Sequence, residues 1–260
     1  MPDQSRVSIV IQTRDRTPAG KRNYLGETLR NLTRSGLCHA QTPFTLDIVD
    51  GGSPNPEQFY QEEVLPFSSG LWPIFHPGEP CTAQANAAAS WQVAAEQAYG
   101  TDAAWVMVLE DDLDVCADFL DETVQWLAQH AREDRRLYPL GCPYAGVARA
   151  AAAGHSSWEY PVSAYWASQA TVARPEDAAS LARYVAGYQG TIPTCSQDWI
   201  IRDWAQQTYP QIAHVLSPAP GLVQHIGRES LLGVERLKLD PQAIQFFEFP
   251  SWRGRQTCSH

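Results

Sequence analysis

Hydrophobic and polar positions alternate between two periods along this chain. Val7-Ser-Ile-Val-Ile11 is nearly continuous apolar sequence and predicts a buried strand. Residues 24–35 then carry Leu25, Leu29 and Leu32 at helical spacing, closed by Gly36. Residues 44–49 read as a second strand ending at Asp50-Gly-Gly-Ser53, a turn sequence. Residues 72–76 form a short third strand. Residues 82–99 are Ala-rich and helical, with Thr82 as N-cap and Gly100 just past the end. Trp105 to Leu109 has no polar residue, as expected of a central strand covered on both faces. Strands alternating with helices predict a mostly parallel α/β sheet flanked by helices.

After Leu137 the pattern loosens. Pro and Gly become frequent and aromatics cluster at Trp158-Glu-Tyr160 and Tyr165-Trp166. Two further helices are expected, over residues 175–188 and 197–207, with Pro175 suited to a first turn. The last twenty residues, with Phe246-Phe-Glu-Phe249 and Trp252, read as a packed tail. No repeat, low-complexity segment or long linker divides the chain. One domain over 1–260 is expected. Residues 1–115 form its first half, 116–240 its second half, and 241–260 the tail.

Composition narrows the classes. The chain has 260 residues, 44% hydrophobic and 18% charged, which fits a folded globular protein. No apolar run reaches a membrane span, and the N-terminus lacks an export signal, so the cytoplasm is the expected location. Six scattered cysteines, without a CxxC pair or a Cys/His cluster, argue against structural zinc and should be reduced. A net charge of −10 argues against a surface built for nucleic acid. The basic residues Arg14, Arg16, Lys21, Arg22, Arg30 and Arg34 are nonetheless crowded early, as an anion-binding face or, more simply, a solvated helix surface.

The candidate chemistry centres on Glu110-Asp111-Asp112, which follows the strand beginning at Trp105. Alternation sends Glu110 and Asp112 one way and Asp111 the other. Acidic residues beyond a strand's carboxyl end can hold a hard divalent cation, and that cation a diphosphate. They can also simply begin the next helix, as expected for Asp114 and Asp118 ahead of Phe119. The segment by itself leaves both readings open. The first strand runs into Gln12-Thr-Arg-Asp-Arg16, and no GxGxxG or Walker A sequence follows it. Asp15 and Asp50 are strand-end carboxylates able to accept hydrogen bonds from a base or ribose, or to cap their own loops. Asp198 sits at a helix start, where burial beside Trp199 would raise its pKa toward that of a useful base. In Leu222-Val-Gln-His-Ile-Gly-Arg228, His225 can ligate metal or contact phosphate, and Arg228 can bind phosphate.

Taken in order, these segments resemble a GT-A-fold glycosyltransferase, most closely the N-acetylglucosaminyltransferases that branch the mannose arms of N-glycans. The shared pieces are Tyr24-Leu25-x-Glu27-Thr28-Leu29-x-x-Leu32, Leu109-Glu-Asp-Asp112, Asp198-Trp199, and Gln224-His-Ile-Gly227 followed by Ser230-Leu231. Tyr165-Trp-Ala-Ser-Gln169 loosely matches a further stretch. The resemblance covers about residues 7–240. It implies a GT-A-like single domain with a smaller acceptor-side region, a UDP-sugar donor and Mn²⁺ (or Mg²⁺). It makes Asp112 the main metal ligand with His225, and Glu110 or Asp111 a ribose neighbour. Asp198 would be the base of an inverting transfer to a hydroxyl. Thr13, Arg14, Asp15, Arg16 and Asp50 would hold the uridine end, and Arg228 the phosphates. Trp158, Trp166 and Trp199 would offer an acceptor platform, although core packing should claim most of the aromatics. The membrane anchor of the eukaryotic relatives has no counterpart here, so a bacterial or viral enzyme with another acceptor is expected. That acceptor is a glycan, a small saccharide or a hydroxymethylated base of phage DNA. Two other classes stay open: a non-catalytic sugar-binding protein, and a nucleotidyltransferase sharing the nucleotide-binding half.

Overall fold

The computed structural model describes residues 6–79, 81–141, 145–165, 169–189, 197–212 and 214–226. Ten strands occur among the described residues: β1 Val7–Thr13, β2 Phe44–Asp50, β3 Ile74–His76, β4 Trp105–Glu110, β5 Leu113–Val115, β6 Tyr138–Pro139, β7 Ser157–Pro161, β8 Ala170–Ala173, β9 His214–Pro218 and β10 Val223–His225. The helices are α1 Leu25–Arg34, the short α2 Pro56–Phe59, α3 Ala83–Thr101, α4 Phe119–His130, α5 Ala145–Ala152, α6 Pro175–Gly187 and α7 Gln197–Thr208.

Six strands form the central sheet in the order β3-β2-β1-β4-β8-β6. β3, β2, β1 and β4 run parallel, whereas β8 is antiparallel to β4 and β6 antiparallel to β8. The chain moves outward from β1 to β2 and β3, then returns to place β4 on β1's other side. The carboxyl ends of β1 and β4 therefore flank the point where strand order reverses, where open α/β sheets form their crevice.

Alternating side chains give the sheet two apolar faces. Ile9, Ile11, Met107 and Leu109 pack with Leu25, Leu29 and Leu32 of α1 and Phe119 of α4. Val10, Val49, Val106 and Val108 pack with Trp91, Ala94 and Ala98 of α3 and Leu181 and Val185 of α6. The alanines of α3 keep its surface low, so it nests against the sheet and α6 at once. Thr82 caps α3, its hydroxyl accepting from the Ala85 N–H at 3.1 Å.

Two boundary expectations are corrected. Gly100 lies inside α3, which runs to Thr101 and ends at Asp102 in the left-handed region, φ 51°; the Asp side chain tolerates that conformation. Asp114 does not start a helix but lies in β5, paired antiparallel with β10. Asp118 does precede α4, but without a side-chain cap bond. Cys38 and Cys81 are free thiols. Among the described residues, no helix is long and apolar enough to cross a membrane.

Candidate active site

The turn after β4 is held from three sides. From α1, the Thr28 hydroxyl donates to the Asp111 carbonyl at 2.8 Å and accepts from the Leu113 N–H at 2.8 Å. Asn31 adds a bond to the Leu113 carbonyl at 3.1 Å. From the second half, β10 pairs with β5, setting His225 opposite Leu113, and the Ile226 N–H donates to the Asp112 carbonyl at 2.8 Å. From the residue just before β8, the Gln169 carbonyl accepts from the Glu110 N–H at 2.7 Å. Polar α1 residues at buried positions thus give rigidity to three consecutive carboxylates.

The alternation expected from sequence is realised. Asp111 faces the α1 side, where the Thr13 hydroxyl donates to it at 2.6 Å and the Arg16 guanidinium forms an ion pair with it. Glu110 and Asp112 face the other way. Their carboxylate oxygens and a His225 ring nitrogen lie within 4.8 Å of one another. His225 Nε2 is 3.0 Å from Asp112 Oδ2, which also receives Arg16 at 3.3 Å. Asp112 Oδ1 is buried and has no hydrogen-bond partner. A buried carboxylate oxygen left unbonded is costly, and a cation would relieve that cost. Two carboxylates and an imidazole therefore fit a divalent metal, and the nitrogen donor favours Mn²⁺ over Mg²⁺.

Charge states follow from the packing. Burial raises the Asp111 pKa to about 6, against the opposing pull of Arg16. Burial also acts to raise Asp112, but the hydrogen bond and charge of His225, then Arg16, outweigh it and hold the group below the ordinary carboxylate range. Arg16 is itself buried, which corrects the expectation that the early basic stretch is simply solvated. Arg22, by contrast, makes a surface pair with Glu27.

The other predicted residues divide. Asp198 is buried, on the first turn of α7. Its neighbour Gln197 is tied to the end of β1, accepting from Gln12 Nε2 at 2.8 Å, so Asp198 stands at the same carboxyl end of the central strands as the acidic turn. Both oxygens of Asp50 accept from Ser53, at 3.0 Å from its N–H and 2.7 Å from its hydroxyl. Burial pushes the Asp50 pKa up despite those bonds. Asp15 accepts from Thr17 and from Asn23, bracing its own loop. Arg14 is exposed and donates to the Cys81 carbonyl at 3.1 Å. A Cβ on Gly78 would lie 2.2 Å from the Asp50 carbonyl, so glycine is required for the two loops to touch.

Among the aromatics, Trp158 stacks on Tyr160 at 4.8 Å and packs against the α3–α6 core. Tyr165 is buried, its hydroxyl 2.6 Å from that of Thr171. Trp199 is 37% exposed, with the Arg202 guanidinium 4.8 Å from its ring centre. Trp166 and Arg228 lie outside the described residues, as do Ser230-Leu231. Sequence reasoning gave no role to Gln12, Gln197, Asn31 or Asn86. The last donates to the Thr13 carbonyl at 3.0 Å. Gln12 carried a legible signal: it is the first long polar side chain at an inward position of an apolar strand.

No family model matches the chain, and no curated protein does. Solved structures do. S. aureus TarS 1-349 in complex with UDP-GlcNAc aligns with TM-score 0.52 and 13% identity, over 87% of this chain and 59% of that one. A longer S. aureus TarS structure aligns with TM-score 0.50 and 14% identity, over 82% of this chain and 34% of that one. A glycosyltransferase involved in the glycosylation of the major capsid of PBCV-1 gives TM-score 0.47 at 10% identity, over 87% of this chain and 94% of that one. The chain thus spans about a third to three fifths of the two TarS chains. A six-stranded, mostly parallel sheet flanked by helices is the GT-A-like fold that this chain shares with the TarS structure.

Proposed function

We propose that the chain is a metal-dependent, inverting glycosyltransferase that moves a sugar from a UDP-sugar to an acceptor hydroxyl. The observation that carries this reading is the convergence of Glu110, Asp112 and His225, with Asp112 Oδ1 buried and unbonded, at the switch point of a GT-A-like sheet. The UDP-GlcNAc bound by the TarS fragment supports a uridine donor.

Glu110, Asp112 and His225 hold the metal, which when bound supplies Lewis-acid stabilisation of charge on the departing diphosphate. Arg16 and Thr13 fix Asp111 and thereby the direction of its two neighbours. The loop of Thr13, Arg14, Asp15 and Arg16 walls the uridine end, with Asp15 and Asp50 as its braces. Asp198 takes the acceptor proton as the acceptor oxygen attacks the anomeric carbon and UDP leaves with the bonding pair. Attack opposite the leaving group inverts the configuration. Trp199, about a third exposed beside Asp198, is the acceptor-side aromatic. The acceptor is a saccharide hydroxyl; of the early basic stretch, Arg16 is already paired with Asp111 and Asp112.

Thermal stabilisation by UDP and UDP-sugars, with Mn²⁺, Mg²⁺ or EDTA, tests the reading. A Mn²⁺-dependent rise in melting temperature with a uridine ligand, lost in Asp112→Ala, is expected. No response to any uridine ligand would refute it.

A further inference from the structure

The Gln12–Gln197 pair carries unspent hydrogen-bonding capacity beside the acidic cluster. Gln12 Nε2 donates to Gln197 Oε1 at 2.8 Å. The remaining polar atom of each amide, Gln12 Oε1 and Gln197 Nε2, is buried and bonded to nothing. Native proteins rarely leave buried amide atoms unsatisfied, and those that do usually reserve them for a ligand or water. The pair therefore lacks one donation and one acceptance. Turning both amides over exchanges the roles of the residues but still leaves one free donor and one free acceptor.

Position says which ligand is close by. Gln12 is the register partner of Glu110 in the β1–β4 ladder, and parallel partners project to the same face of the sheet. It therefore stands on the face of Glu110 and Asp112, not on that of Asp111. Gln197 immediately precedes Asp198, the proposed base. The two amides thus stand at the carboxyl ends of β1 and β4, between the register partner of Glu110 and the sequence neighbour of the proposed base.

We infer that Gln12 and Gln197 together form a subsite that reads a polar substituent of the transferred sugar, one presenting a hydrogen-bond donor and acceptor together. A ring hydroxyl and an acetamido group both meet that description. A nucleotide without its sugar offers nothing at this position. The inference rests on the nucleotide-sugar reading above, and goes beyond it by assigning donor-sugar recognition to two residues that touch neither metal nor nucleotide.

The test is calorimetric titration of UDP, UDP-glucose and UDP-N-acetylglucosamine, each with Mn²⁺, into the wild type, Gln12→Met and Gln197→Met. Methionine keeps the length of the side chain and removes its hydrogen bonding. The wild type should bind at least one UDP-sugar more tightly than UDP. Each variant should bind UDP as the wild type does and lose about five- to tenfold for that sugar, the worth of one hydrogen bond. A loss with UDP-glucose assigns the subsite to a hydroxyl; a loss confined to UDP-N-acetylglucosamine assigns it to the acetamido group. Variants that keep full UDP-sugar affinity, or that lose UDP equally, overturn the subsite while the transferase reading stands. A wild type that prefers neither sugar to UDP overturns it as well. A wild type that binds none of the three ligands removes the nucleotide-sugar reading itself. Circular dichroism checks folding. Should Gln12→Met fail to fold, Gln197→Met at the helix start decides alone.

Discussion

The two faces of one turn behave differently. Asp111 is fully engaged: a threonine hydroxyl and a guanidinium occupy its oxygens, and α1 clamps its backbone. Asp112, the next residue, turns to the opposite face with one oxygen buried and unbonded, near Glu110 and His225. Neighbouring carboxylates of identical chemistry have thus been given opposite tasks. The satisfied side is scaffold and the unsatisfied side is where a ligand gains the most. The same contrast separates Asp50, bonded through both oxygens to Ser53, from the amide pair of Gln12 and Gln197.

The contrast can be broken from its open side first. Asp112→Ala should abolish metal-dependent sugar transfer while the far-ultraviolet spectrum stays native; near-wild-type turnover would remove Asp112 from the site. Asp198→Asn should retain UDP affinity and slow transfer by about a hundredfold or more, as loss of a general base does. If that variant loses donor binding and not turnover, Asp198 is not the base. Both outcomes are read by following UDP release alongside nucleotide titration.

The closed side should respond in stability. Arg16→Met leaves Asp111 buried without its counter-charge and should cost about 3 kcal/mol in denaturant unfolding. A loss below about 1 kcal/mol, the range of surface pairs, would mean that Arg16 braces nothing. The smallest effect concerns pH. The native Asp111 pKa of about 6 stands above the ordinary 3.8, so the folded state keeps this proton longer than the unfolded chain. Its contribution is fully present below about pH 4 and is lost as pH rises toward 6. Asp111→Asn should therefore flatten the fall in melting temperature across that interval, measured with chelator present. An unchanged slope would place the titration elsewhere.

Much of this was legible in the sequence because local rules decided it. An uninterrupted apolar run made β4 a central strand, and period-2 alternation separated Asp111 from Glu110 and Asp112 before any contact was known. Helical spacing gave α1 its apolar face, and the order of motifs pointed to the GT-A-like fold. Thr28 stood in one of those motifs, but its task of clamping the acidic turn needed the packed helix.

What only the tertiary structure decided was which polar groups found partners. Arg16 reads as one more surface cation until the fold buries it against Asp111 and Asp112. Asp15 and Asp50 read as strand-end carboxylates, and the folded loops add the hydrogen bonds that Thr17, Asn23 and Ser53 donate to them. Gln12 and Gln197, 185 positions apart, become a pair only when the start of α7 reaches the carboxyl end of β1. Alternation and helical spacing are set within a few residues by backbone geometry. The satisfaction of a buried hydrogen bond depends on whatever distant chain arrives beside it, and no local pattern encodes that.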